Sequence, residues 1–449
     1  MPTCTTGDIV GVALDMDNKK VFFSKNGTFF ASQDPANSSG ELVSFSTSMQ
    51  NATIAPAIQT YNNTSEAALN FGQRPFDYTP PTGYKKLSSK NILNHTSSVL
   101  NPKEHFDTLL YTTGSSNGTF THTGIGFKAD LMWIKCRSAN EHHYWVDSVR
   151  GDQAVTDKFL RSSDQSAEGS TGLNGTTWTT IDGGFKVVET SIDNSNGGGE
   201  VYYASRNYCV WCWKAGGSSN TFNVDGKGYA STSAAEITDG SIALTGASVN
   251  REAGFSIVTY SGTGSAGTIG HGLGKAPKWI VTKRRSGTED WKVYHSSIDG
   301  GKFKKLNNGS QAQTSNSDVY PDTAPTSSVY SLGNHVSVNG SGDTYIAYCW
   351  AEIPGYSKFG EYLGNNSADG TYVHLGFKPA WIMVKLISGD NWYMSDVKRD
   401  PFNVHDHRLF ADTNAAEGAI DQEHVDFLSN GFKFRRAKTP FNSNAGKHI

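Results

Sequence analysis

Short apolar and aromatic runs recur along this chain, each bounded by turns rich in Gly, Ser, Asn and Asp. Period-two alternation and short runs of this kind predict β-strands; few stretches show helical spacing. One eleven-residue pattern occurs three times: IGFKADLMWIK (Ile125 to Lys135), LGKAPKWIVTK (Leu273 to Lys283) and LGFKPAWIMVK (Leu375 to Lys385). Each copy has a glycine after its first apolar residue (Gly126, Gly274, Gly376), then a turn, then a strand-like run closing on lysine (Lys135, Lys283, Lys385). Trp279 and Trp381 share one position, where the first copy has Leu131. A repeated pattern implies a repeated fold.

The flanks repeat too. An opening strand precedes each motif, and an aromatic strand follows it: Tyr144 to Asp147, Trp291 to Tyr294, Trp392 to Met394. Further strands are centred on Leu160, Leu306 and Leu409. A Gly-Phe hairpin appears at Gly184-Phe185 and Gly431-Phe432, with Val329 to Gly333 at that place in the second copy. Closing strands ending in Trp213 and Trp350 align position for position, while the third repeat reaches Gly446 to Ile449 where that strand should begin and reads as incomplete. These tryptophans, with Trp279 and Trp381, are expected in repeat cores or at sheet edges, because aromatic burial dominates β-core energetics.

At 449 residues the chain predicts three or four domains. The boundaries read as 1–83, a linker over 84–105, a β-module over 106–216, an inter-module arm over 217–252, and β-modules over 253–354 and 355–449. The fold class is all-β, with sandwich or jelly-roll-like modules in series as separate bodies. The turn signals of residues 217–252, at Asp225-Gly226 and Asp239-Gly240, make that segment a short strand pair or an extended arm.

The net charge of −3 and the scattered basic residues give no electrostatic case for nucleic acid. No apolar stretch is long enough to span a bilayer. Cys209 and Cys212 form a CxxC, but inside the strand-like NYCVWCW, where residues three apart face opposite sides; buried thiols are the simpler reading. The sequons at Asn26 and Asn51 follow from Asn/Thr richness. No catalytic signature of hydrolases, zinc proteases or phosphate-binding loops is present, and no cofactor is implied. His142-His143 and His405-Asp406-His407 are the best metal candidates, since HxH puts both imidazoles on one strand face; a polar loop is the plainer reading, and no metal is assigned. Asp15-Met16-Asp17-Asn18 suits a hairpin turn better than a calcium loop. Acidic positions do not recur: Asp147 and Asp396 are the nearest pair, and the second repeat has His295 or Ser296 there.

The segment GDIVGVALDMDNKKVFFSKNG, followed by NFGQRPFDY, resembles part of the SPRY domain, a concanavalin-like β-sandwich. The resemblance implies a partial SPRY-like sandwich over residues 1–83. With the three repeats, the whole arrangement is similar to bacteriophage appendage proteins. That resemblance implies a virion structural protein of tail-fibre or spike type: a non-enzymatic adhesin on the particle surface, binding host glycan or protein. It also implies contact with other virion proteins and a homo-oligomer such as a trimer. A capsid or tail connector without a receptor role, and a glycan-degrading spike, are the alternatives.

Overall fold

The computed structural model describes all residues except 1–2, 16–17, 31, 42, 45–66, 72–73, 87–98, 152–158, 170–176, 190–201, 239 and 420–423. Asp17, Asn51, Asp239 and the middle of the expected linker lie outside the described residues. The chain is all-β, with only short helical turns among the described residues. It divides into two compact units, residues 1–95 and 96–449.

In the first unit, Val10–Asp15 pairs antiparallel with Lys20–Lys25, which also pairs with Thr28–Phe29 and Val43–Ser44. The Asn26-Gly27 turn closes the second hairpin with both residues at positive φ, 50° and 80°, as a tight two-residue turn requires. The small sheet buries Ala13 and Phe22 on one face and leaves Val10, Val12 and Leu14 exposed on the other.

The second unit holds the three repeats. The first has a five-stranded sheet: opening strand Phe106–Thr112, closing strand Asn207–Trp213, motif strand Leu131–Cys136, aromatic strand His143–Asp147, then Leu160–Arg161. A smaller layer, Thr177–Ile181, Gly184–Glu189 and Gly118–Thr123, covers one face. The second repeat has the same order, Phe255–Ser261, Thr344–Ala351, Pro277–Arg284, Lys292–His295 and Lys302–Lys305, with Gly267–Gly270 and Val329–Leu332 as its smaller layer. Val329 to Leu332 therefore does occupy the place of the Gly-Phe hairpin. In the third, Trp381–Val384 pairs with Tyr393–Asp396, which pairs in turn with His407–Phe410, and Tyr372–His374, Gly431–Phe434 and Val425–Leu428 form the smaller layer. The segment read as an arm belongs to the second repeat's sheet: Phe222–Val224 and Leu244–Asn250 extend it beyond the opening strand.

One expectation does not survive. The repeats are not separate bodies, because their main sheets bury a common core. Leu131, Trp133 and Trp211 of the first repeat, Trp279, Trp291 and Trp350 of the second, and Trp392 and Met394 of the third belong to one buried cluster. Eight of the chain's ten tryptophans lie in it, and a ninth, Trp381, packs against it. Each repeat also keeps a small core between its two layers. The main sheets are thus buried on both faces, which accounts for continuous apolar runs in place of alternation; every residue of Tyr208 to Trp213 is buried. Cys209 faces the shared core and Cys212 the first repeat's own core, opposite sides of one strand. Burial pushes both thiols well above the usual range, so neither is a poised nucleophile.

Candidate functional site

The motif lysines define how the repeats meet. All three are fully buried. Lys135 Nζ donates to the carbonyl of Glu141 in its own repeat at 2.7 Å and to that of Asn414 in the third at 3.1 Å. Lys283 Nζ donates to Glu289 O at 2.8 Å in its own repeat and to Gln165 O in the first at 3.2 Å. Lys385 Nζ donates to Asp390 O and, in the second repeat, to Gly309 O. The donations run from first repeat to third, third to second, and second to first. This closes a head-to-tail ring within one chain, the geometry of a heterologous cyclic assembly. Burial pushes each lysine down to about 8. Uncharged backbone carbonyls partner them, so they serve as buried donors and do not form ion pairs.

Two of the three interfaces carry a matching ion cluster. Arg150 grips Asp147 and Glu168 in the first repeat, and Arg285 reaches Glu168 from the second at 2.7 Å. Arg399 likewise grips Asp396 and Glu417 in the third, and Arg137 reaches Glu417 from the first at 2.6 Å. A closing-strand side chain completes each cluster. Tyr348 donates its hydroxyl to Asp147 Oδ2 at 2.7 Å, and Trp211 Nε1 donates to Asp396 Oδ2 at 3.0 Å. Coulombic attraction from Arg399, together with hydrogen bonds to the carboxylate, holds Asp396 below the usual range against its burial. The ring positions also share indole donors: Trp291 Nε1 reaches Arg161 O at 2.7 Å and Trp392 Nε1 reaches Lys305 O at 2.9 Å. At the remaining interface His143 takes this role. Its Nδ1 accepts from Trp133 Nε1 at 2.8 Å and its Nε2 meets Phe410 O at 3.0 Å, which fixes a neutral ring.

Among the described residues, the interface between the second and third repeats lacks the cluster. Strand register places His295 at the position of Asp147 and Asp396: these three pair with Trp279, Leu131 and Trp381. Burial holds His295 down to about 4. Lys304 sits near this interface, donating to the carbonyls of Gln311 and Ile387, and burial pushes it down to about 7.

Sequence reasoning located Lys135, Lys283 and Lys385 but not their partners. A signal for the clusters was present: Asp147-Ser-Val-Arg150 and Asp396-Val-Lys-Arg399, each arginine 18 residues before its glutamate. Of the other repeat residues, Trp213, Trp279 and Trp350 are buried in the shared core, and Trp381 is only partly covered beside it. Gly274 and Gly376 have φ of 70° and 88°, a turn conformation costly for any side chain, whereas Gly126 is confined by the Lys103 carbonyl 3.2 Å from where a Cβ would sit.

The metal candidates do not assemble as the sequence suggested. His143 is buried on Trp133, while His142 faces Ser163 at 3.0 Å. His405 is buried against Phe427, with ring centroids 4.3 Å apart. His407 stands apart from it, within 3.0 Å of Asp406 and 3.4 Å of Asp400. Asp400, Asp406 and His407 have ligand atoms within 4.8 Å of one another, the one such group among the described residues, and all three are partly exposed.

Fold and interfaces together define a class: an all-β protein whose three unequal repeats close around one aromatic core. Residues 101–449 match the family described as Domain of unknown function (DUF7483), and the chain belongs to that family. No curated protein and no solved structure matches it. No helix among the described residues is long and apolar enough to cross a membrane.

Proposed function

We propose that this chain is a non-catalytic virion component, a tail-fibre or spike-type adhesin that presents loops to a host surface, with a polar surface such as glycan as its target. One observation carries the non-catalytic part. The ionisable residue that recurs in all three repeats, Lys135, Lys283 or Lys385, is fully buried on backbone carbonyls. The Asp-Arg-Glu sets are likewise occupied in joining repeats. The recurrent polar chemistry therefore builds the scaffold, leaving connecting loops to vary on a rigid base, as recognition surfaces do. The virion assignment rests on the resemblance to phage appendage proteins.

The test is adsorption. Antibody against the chain is expected to block attachment of particles that carry it, and the purified chain to bind host-surface polysaccharide saturably. Normal adsorption by particles lacking the chain would overturn the adhesin reading. Release of reducing sugar from the polysaccharide would replace it with an enzymatic one.

A further inference from the structure

The second repeat buries a lysine that ring closure does not account for. Strand register pairs the residue before each motif lysine with Tyr144, Lys292 or Tyr393. The two tyrosines are 1% exposed and the lysine 4%, so an amine is buried where the other repeats bury a phenol. Its Nζ lies over the Phe303 ring, 5.1 Å from the centroid. Its hydrogen-bond partner among the described residues is Asp290 Oδ2 at 3.4 Å. Burial pushes this amine down, toward the neutral form that acts as a nucleophile.

Asp290 joins that amine to a carboxamide. Its Oδ2 faces Lys292, and its Oδ1 accepts from Asn307 Nδ2 at 3.0 Å. The amide oxygen, Asn307 Oδ1, accepts from the backbone N–H of Trp291 at 3.0 Å, a donor placed where negative charge would develop on that oxygen. In the other repeats Ser163 and Asp412 cap the same backbone position, and neither offers an amide. The buried lysine and the amide thus occur together, in one repeat only. Burial works to raise the Asp290 carboxyl, but hydrogen bonds from Lys305 and Asn307 and the charge of Lys292 hold it down to about 2. It is a carboxylate, ready to accept a proton. Lys305 Nζ, 2.5 Å from Oδ2, is its partly exposed counter-ion. Gln165 of the first repeat donates to Asp290 Oδ1 at 2.6 Å, so the group is complete only once the first two repeats have met.

We propose that Lys292 and Asn307 form a self-modification site, at which an isopeptide bond joins Lys292 Nζ to Asn307 Cγ. The neutral amine attacks Cγ: a C–N bond forms and the carbonyl π pair moves onto Oδ1, where the Trp291 N–H stabilises it. Asp290 takes one proton from Nζ through Oδ2 and delivers one to Nδ2 through Oδ1. The Cγ–Nδ2 bond then breaks, and its electron pair leaves on ammonia as the carbonyl re-forms. One amine and one primary amide become one secondary amide and ammonia, and nothing else is consumed. The product staples the aromatic strand Lys292–His295 to the residue that follows Lys302–Lys305 by two. Because Gln165 completes the site, the staple sets only after the first and second repeats have docked. The inference does not depend on the virion reading.

The test is mass spectrometry of the folded 449-residue chain. Its intact mass should lie about 17 Da below that of the sequence, the loss of one ammonia. Digestion should yield a branched peptide linking Lys292 to Asn307, with no tryptic cut after Lys292. Asp290→Asn, which cannot carry the proton, should keep the full mass in protein shown to be folded by circular dichroism. Lys305→Met should still carry the bond. An unmodified mass for the folded parent overturns the proposal without recourse to any variant. So does a branch at Lys305, or an ammonia loss mapped to a hydroxylamine-cleavable succinimide at Asn308-Gly309. Equal cross-linking in folded Asp290→Asn would overturn the mechanism by removing its proton carrier.

Discussion

The hydroxyl of Tyr348 in the second repeat donates to Oδ2 of Asp147 in the first, at 2.7 Å and across 201 residues of chain. Both groups are buried, and Asp147 is also held by Arg150. This bond crosses between repeats at one of the two interfaces built around an ion cluster. Tyr348→Phe should lower stability by about 1–2 kcal/mol, because it removes a charge-assisted bond and leaves the carboxylate under-satisfied. Trp211→Phe should have a similar effect through Asp396, at a different interface. Chemical denaturation of both single variants and the double variant checks this. The two losses should add, since the sites share no partner; equal stability of Tyr348→Phe and the parent would sink the claim.

The ring predicts one cooperative transition for residues 96–449. Tryptophan fluorescence reports almost entirely on the shared core. Fluorescence and far-ultraviolet circular dichroism should therefore give coincident midpoints for that unit. A chain cut after residue 354 should fail to fold into two stable repeats, because it exposes the core faces that Trp392 and Met394 cover. Stepwise melting, one repeat at a time, would contradict the closed ring.

Lys283→Met tests the buried lysines. It leaves the carbonyls of Glu289 and Gln165 without their donor and should cost about 1–3 kcal/mol at neutral pH. The deficit should widen with pH. The folded-state lysine titrates at about 8, below the unfolded value of 10.5, so between these the unfolded chain binds the extra proton and the wild-type fold gains stability as pH rises. The gain amounts to about 3 kcal/mol over the full window. A wild-type-to-variant difference that stays flat from pH 8 to 10.5 would show that the lysine is not titrating in the core.

Acid should weaken the second repeat. Burial lowers His271 and His295 from 6.5 to about 4. Unfolded chain takes up these protons near pH 6.5, folded chain only near 4, so stability falls as pH drops through that window, by about 3 kcal/mol per histidine. Burial raises the carboxyls of Asp130 and Asp412, which act in the opposite sense at low pH. His271→Gln should flatten the decline, measured as urea midpoints from pH 7 to 4.5. An unchanged slope would refute the assignment.

Much of this architecture could be read from residue order. The motif strands, their lysines, the paired closing strands and the Asn26-Gly27 turn all follow from local pattern. Ring closure did not, for a physical reason. A strand in an isolated sandwich buries one face, and a strand in this ring buries two; NYCVWCW carried that information as an unbroken apolar run. The chain distance between Arg137 and Glu417, 280 residues, leaves no local trace, whereas the aspartate–arginine spacing beside it does. His405 and His407 misled because alternation fixes a face only within a continuous strand, and His405 sits outside the strand that begins at His407.

The clasp between Arg137 and Glu417 has a consequence for synthesis. A ribosome delivers the first repeat long before the third, so the early strands must wait with an aromatic face uncovered until the last repeat emerges. Nascent chains of intermediate length should therefore bind holdase chaperones more strongly than the finished protein.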